Sequence, residues 1–215
     1  MDIGKAFSYV VSDKDWVKKV VIGGILGIIP IANLIVIGYG LRVLKNVAQD
    51  DPQPLPEWDD WGGDFMKGLM VTLASLIYSS PAIVLLSIFA LIGVFTGYVS
   101  GEAEGVFAAL IVCFNCLMML WGLAIGLWMP AAMVNYTEKW SFGAMFAFEK
   151  IWTLISENLG NYVTALVIML LAGIAASFGA IACVIGVLFT QFYAQLVSMH
   201  ILGQFAREAG GPALD

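Results

Sequence analysis

The chain has 215 residues, 60% of them apolar and only 12% charged, with a mean hydropathy of +0.90. A water-soluble domain carries about 25% charged residues, so that class is excluded and a membrane protein is expected. The formal charge of −6 lies almost wholly outside the apolar runs, and no basic stripe exists to neutralise phosphates, which excludes a nucleic-acid partner.

Residues 1–15 hold Asp2, Lys5, Asp13, Lys14 and Asp15, with no apolar core or small-residue cleavage site, so no signal peptide is expected. Asp at the second position excludes N-myristoylation. Ile3, Ala6, Phe7, Val10 and Val11 instead fall at the spacing of one apolar helical stripe, with Asp2 placed to cap its start. A helix this short cannot span, and it is expected to lie in the membrane interface. Ser12 and Asp15 form an S-x-x-D capping pattern that predicts the start of the next helix.

Residues 16–48 contain the apolar run Val20 to Leu41, flanked by Lys18 and Lys19 before it and Arg42 and Lys45 after it. The run is interrupted at Pro30 to Asn33, so it is either one kinked transmembrane helix or a tight pair of short helices. Each arm of a pair would reach about 22 Å, short of the ~30 Å hydrocarbon core. The candidate loops near Val99 to Gly105 and near Ser177 to Gly186 contain no Lys or Arg. If basic segments stay cytoplasmic, the first run returns to the side it entered, which favours a short or re-entrant hairpin.

Residues 49–67 form an acidic-aromatic connector, P-Q-P-L-P-E-W-D-D-W-G-G-D-F from Pro52 to Phe65. Glu57, Trp58, Asp59, Asp60 and Trp61 are its candidate functional residues. Tryptophans at headgroup depth with acids in water make an interfacial anchor. The same set would serve as a docking surface for a partner protein, or as a cage for a cationic headgroup. Carboxylates this exposed are expected to titrate normally, which leaves little for acid–base chemistry. With one histidine, no G-x-S-x-G, no H-E-x-x-H and no phosphate loop joined to a strand, an enzyme is not expected, and no cofactor is implied.

Residues 68–136 read as a long transmembrane hairpin. Gly68 to Tyr98 would be ~45 Å long as a helix, so it should tilt or kink at Pro81. A polar turn from Ser100 to Gly105 leads into a return helix, Val106 to about Asn135, with Pro130 near its end. Cys113 and Cys116 lie on one helix face and Cys183 in another apolar stretch. They make no disulfide framework, and they read as residues packed between helices, not as metal ligands. Small residues four apart (Ser75 and Ser79, Gly93 and Gly97, Gly122 and Gly126, Gly23 and Gly27) allow close helix approach.

Residues 137–160 form a second interfacial segment. Phe148, Ile151, Trp152, Ile155 and Leu159 share one side, Glu149, Thr153, Ser156 and Glu157 the other, and Ser141 is a plausible cap. Residues 161–206 fit a second transmembrane hairpin turning near Ser177 to Ala180, and residues 207–215 are a short polar tail.

His200 is the one ionisable residue in the long apolar spans, which argues against an ion-driven pump. Tyr193, His200 and Gln204 lie on one side of the last helix, with Gln191, Gln195 and Ser198 nearly opposite. Two polar stripes imply two neighbours joined by interhelical hydrogen bonds. Asn33, Asn115, Gln191, Gln195 and His200 are the candidate intramembrane polar contacts, and a lone histidine makes no metal site.

Three segments also carry a resemblance. D-I-G-K-A-F-S-Y-V-V-S-D, G-G-I-L-G-I-I-P followed by G-Y-G-L-R-V, and L-P-E-W-D-D-W-G resemble the domain of unknown function 4013 family. Its members are bacterial and archaeal multi-pass membrane proteins with no established activity, and the resemblance brings no catalytic residues to transfer. More distantly, the plan looks like membrane domains found beside glycerophosphodiester phosphodiesterases, whose activity is not carried over.

The expectation is an all-α integral membrane protein of three helical hairpins, the first short or re-entrant, with interfacial amphipathic helices. It would sit in the cell (inner or plasma) membrane with both termini cytoplasmic, as a non-enzymatic scaffold or accessory subunit. Its partners would be the lipid bilayer and a protein partner or second copy. The alternative is a facilitator or lipid-handling transporter, with a groove between hairpins lined by Asn33, Asn115, Gln191 or Gln195.

Overall fold

The computed structural model describes residues 1–99, 104–182 and 186–210, and the regular structure of these residues is helical. The elements are α1 (Ile3–Ser12), α2 (Trp16–Ile28), α3 (Asn33–Ala48), α4 (Trp61–Val99), α5 (Glu104–Lys139), a 3-10 turn (Phe142–Phe146), α6 (Phe148–Glu157), α7 (Leu159–Ser177), α8 (Gly179–Ala182) and α9 (Gly186–Glu208). Ser100 to Ala103 of the expected polar turn, and Cys183, lie outside the described residues.

Among the described residues, three helices are long and apolar enough to cross a membrane: α4 over Trp61–Gly93, α5 over Ile111–Lys139, and α7. The chain is a membrane protein. The last helix, α9, expected as a further crossing, is not among these three. Thr190, Gln191, Gln195, Ser198, His200 and Gln204 dilute its apolar content, and most of its length from Phe192 to Ala206 is buried by other helices of the chain.

The described residues fall into two compact units, Met1–Thr72 with Pro130–Asp215, and Leu73–Met129. In the first, α9 is the central element, with α1, α2, α3 and α7 packed on it. Tyr39, Leu41, Leu44, Leu196, Ile201, Leu202 and Phe205 are wholly enclosed there. The apolar run of residues 20–41 is broken: α2 ends at Ile28, α3 begins at Asn33, and the residues between expose Ile29 and Ile31. Two glycines let α3 meet the start of α4 backbone to backbone. A Cβ on Gly38 would collide with the Asp64 carbonyl, and one on Gly68 with the Leu34 carbonyl.

The apolar residues of α1 divide between two surfaces. Ala6 and Val10, joined by Tyr9, are buried, whereas Ile3, Phe7 and Val11 face outward. Asp2 caps the helix, its Oδ1 accepting from the Lys5 N–H at 2.8 Å, as its position suggested. The other two expected caps do not form. Ser12 ends α1, where its hydroxyl donates to the Ser8 carbonyl at 2.9 Å, and the Asp15 N–H is taken by Asp13. Ser141 makes no side-chain cap, because Trp140 at φ 51 ends α5 and a 3-10 turn precedes α6. On α6, Ile151 and Ile155 are buried while Phe148 and Trp152 face outward.

The second unit holds the remaining lengths of α4 and α5. Phe89 and Phe114 stack at 4.7 Å, and the Trp121 and Trp128 indoles donate to the Tyr78 carbonyl and hydroxyl at 3.2 and 3.0 Å. Cys113 and Cys116 are exposed, so packing inside the chain does not account for them.

Candidate functional site

The connector between α3 and α4 is fastened to the first unit at nearly every residue that was singled out. Its apolar anchor is Leu55, which is buried. Trp58 stacks on Tyr39 of α3 with ring centroids 3.9 Å apart and an interplanar angle of 17°. Phe192 of α9 lies 6.0 Å from the same indole. Offset aromatic stacking of this kind adds ~0.5–1.5 kcal/mol beyond area burial. The polar edges are used as well: the Tyr39 hydroxyl donates to the Pro56 carbonyl at 2.7 Å, and the Trp58 indole N–H to the Lys19 carbonyl at 3.2 Å. Trp61 donates to the Trp58 carbonyl at 2.8 Å, yet its ring is 44% exposed.

Charge completes the fastening. Lys19, almost fully buried near the start of α2, donates to Asp13 and Glu57 at 2.7 Å each and to the Leu55 carbonyl at 3.3 Å. Arg42, one turn after Tyr39, donates to Asp59 at 2.9 Å, to Asp64 at 2.8 Å and to the Glu57 carbonyl at 2.8 Å. Lys67 reaches Asp60 at 3.0 Å and Asp64 at 3.5 Å. Glu57 therefore receives one cation from α2 on its carboxylate and another from α3 on its carbonyl.

These pairs change the acid–base character expected of the segment. The Arg42 guanidinium beside Asp59 holds that carboxyl below the usual carboxylate range. Asp60 is held low by Lys67 and by the Gly63 N–H, which it accepts at 2.9 Å. Both stay ionised well into acid, so they do not titrate as free surface carboxyls would. Their outer faces nonetheless remain wet: the Glu57 and Asp59 side chains are 64% and 70% exposed.

The sequence did not single out Lys19, Tyr39, Arg42 and Asp64, which make the site. A signal was present in the two segments G-Y-G-L-R and L-P-E-W-D-D-W-G, which carry the resemblance together: the Tyr and Arg of the first are the partners of the Trp and Asp of the second. Asp64 is fully buried between Arg42 and Lys67.

The intramembrane candidates are distributed over three places. Asn33, Gln191 and Gln195 line one cavity of about 330 Å³, together with Ser198 and glycines of α2 and α7. Gln195 also donates to the Val36 carbonyl of α3 at 3.1 Å. His200 lies elsewhere, buried beneath the Tyr9 ring at 4.3 Å and bonded through Nδ1 to Gln204 at 3.0 Å. Gln204 in turn accepts from the Asp2 N–H and donates to the Asp2 carbonyl, and the Tyr193 hydroxyl bonds the Phe7 carbonyl, so this side of α9 holds α1. Asn115 belongs to the second unit, where its amide donates to the Ile111 carbonyl of its own helix at 2.8 Å.

The profile of a family described as Protein of unknown function (DUF4013) matches residues 22–185. That range takes in both segments of the fastening. No curated protein and no solved structure matches the chain.

Proposed function

The chain belongs to the DUF4013 family of proteins of unknown function, and from that premise we propose that it works by association, as a non-enzymatic scaffold or accessory subunit of a membrane assembly. The observation that carries this reading is the connector: a segment held rigid by stacking and ion pairs from within, which still offers Trp61 and the exposed carboxylates of Glu57 and Asp59 outward. A preordered aromatic-acidic surface loses little conformational entropy when a partner docks on it. Further support comes from α5, where Gly122 and Gly126 lie one turn apart with open space where a Cβ would stand. Small residues so spaced let a helix from another chain approach closely in lipid.

In this reading residues 16–48 dip into the membrane and return, since Lys19 and Arg42 both meet Glu57. The basic residues then place the connector and both termini on the cytoplasmic side of the cell membrane. α1 and α6 lie in the interface with Phe7, Phe148 and Trp152 toward lipid.

The test weighs the chain in native nanodiscs cut directly from its membrane. A defined homo-oligomer or a stoichiometric complex is expected for the wild type. Trp61→Ala with Asp59→Ser should shift it toward a single chain that remains folded, as read by its circular dichroism. A wild-type particle that is strictly monomeric would overturn the proposal.

A further inference from the structure

The cavity between α2, α3, α7 and α9 differs from the lipid-facing surface around it in two respects. It is polar: the amides of Asn33 and Gln191 make no hydrogen bond among the described residues, and Gln195 commits its NH₂ group to Val36 while its carbonyl oxygen stays open. Gln191 is exposed and Asn33 half-buried, so both amides are open to a ligand, and where this surface faces hydrocarbon a ligand that bonds them relieves the ~1–3 kcal/mol cost of an unpaired amide. The cavity also opens at the surface. Gly27 is exposed and Gly173 half-buried, and a Cβ on either would meet nothing within 4 Å, whereas one on neighbouring Gly23 would collide with the Phe192 ring. Packing thus explains Gly23 and leaves Gly27 and Gly173 unexplained, although glycine inside a helix costs ~1 kcal/mol relative to alanine. About 330 Å³ is at the lower end of the range for small-molecule sites.

The lining carries no ionisable side chain. Gly27 lies eight residues beyond Lys19, about 12 Å along α2, so a charged headgroup drawn into the cavity would leave its cations behind. Ile25, Ile28, Ile29 and Ile31 are exposed on the same helix pair, which is a surface suited to acyl chains.

We propose that this cavity binds an uncharged glycerolipid of the diacylglycerol class. The ester carbonyls accept from the amides of Asn33 and Gln191, the free hydroxyl donates to the Gln195 carbonyl, and one acyl chain fills the room beside Gly27 and Gly173. The inference is independent of the association reading: an assembly subunit or a lone chain could hold such a lipid.

The test uses nanodiscs containing a trace of diacylglycerol with a diazirine in its acyl chain, and, in a parallel arm, phosphatidylglycerol with the same acyl label. After illumination, labelled peptides are mapped by mass spectrometry. The diacylglycerol probe should label α2 near Gly27 and α9 near Gln191 at least fivefold above the exposed stretch of α5 around Leu117 and Leu120, and unlabelled diacylglycerol should compete. Gly27→Leu with Gly173→Leu, which fills the space, should remove the excess while α5 labelling and the circular dichroism of the chain stay unchanged. Asn33→Leu with Gln191→Leu should do the same without adding much bulk. Labelling no higher than on α5, labelling that survives both variants, or equal labelling by phosphatidylglycerol would overturn the proposal.

Discussion

Replacing Arg42 by methionine tests the connector most severely, because its three hydrogen bonds differ widely in worth. The bond to Asp59 is to a side chain 70% exposed, and solvent reduces such a pair to ~0–1 kcal/mol. The bond to Asp64 is different, since that side chain is only 1% exposed and retains only Lys67, at 3.5 Å, once the guanidinium is gone. Leaving a buried charge with its partner removed costs ~3–5 kcal/mol, and the remaining lysine places the cost toward the lower end. The charged bond to the Glu57 carbonyl adds ~1.5 kcal/mol or more. Arg42→Met should therefore loosen the connector by about 5 kcal/mol, which lowers the hydrogen-exchange protection of residues 55–64 by roughly several thousandfold. Asp64→Leu in the same chain should recover much of the loss, because it removes the stranded charge. If Arg42→Met costs no more than Asp59→Asn, Asp64 is not held by Arg42 and the reasoning fails.

Other expectations follow from the same contacts. Gly38→Ala and Gly68→Ala each drive a methyl into backbone of the facing helix, so yields of folded protein should collapse; Gly27→Ala, facing open space, should be tolerated. Tyr39→Phe loses one hydrogen bond to Pro56 and should cost ~1 kcal/mol, whereas Tyr39→Ala also removes the platform under Trp58 and should cost ~3–5 kcal/mol and red-shift its fluorescence. Asp59 and Asp60 have lowered folded-state values, so their contribution is fully present above about pH 4 and is lost as pH falls through those lower values. The protection these two pairs add, read as the difference between the wild type and an Asp59→Asn, Asp60→Asn chain, should be level from pH 7 to about 5 and decline only in stronger acid; a difference that shrinks between about pH 5 and 7 would contradict the ion-pair assignments.

Much of this architecture is legible in the sequence. Composition dictates membrane residence, and the lengths of the apolar runs locate α4, α5 and α7. The last helix misleads by the same criterion: its run lacks Asp, Glu, Lys and Arg until Arg207, but its amides and His200 mark it as a helix that is surrounded. Local capping patterns fail where the chain has better options, as at Ser12, whose hydroxyl turns back to its own helix. The connector shows the limit of reading charge one segment at a time. Its acids looked like free surface groups because the partners Lys19 and Arg42 lie outside the segment, Lys19 being 38 residues from Glu57 in sequence, and only the fold brings them together.

The account depends on the chain leaving the membrane at residue 48 on the side where it entered at residue 16, since Glu57 cannot bind Lys19 and Arg42 across a bilayer. Lys14 and Gln49 are exposed and flank this segment. Each is changed to cysteine in a chain whose native cysteines are serine, and an impermeant maleimide is applied to sealed vesicles of known orientation. Both positions should react from the cytoplasmic face alone. Reaction of Lys14→Cys from one face and Gln49→Cys from the other would contradict the account at its centre.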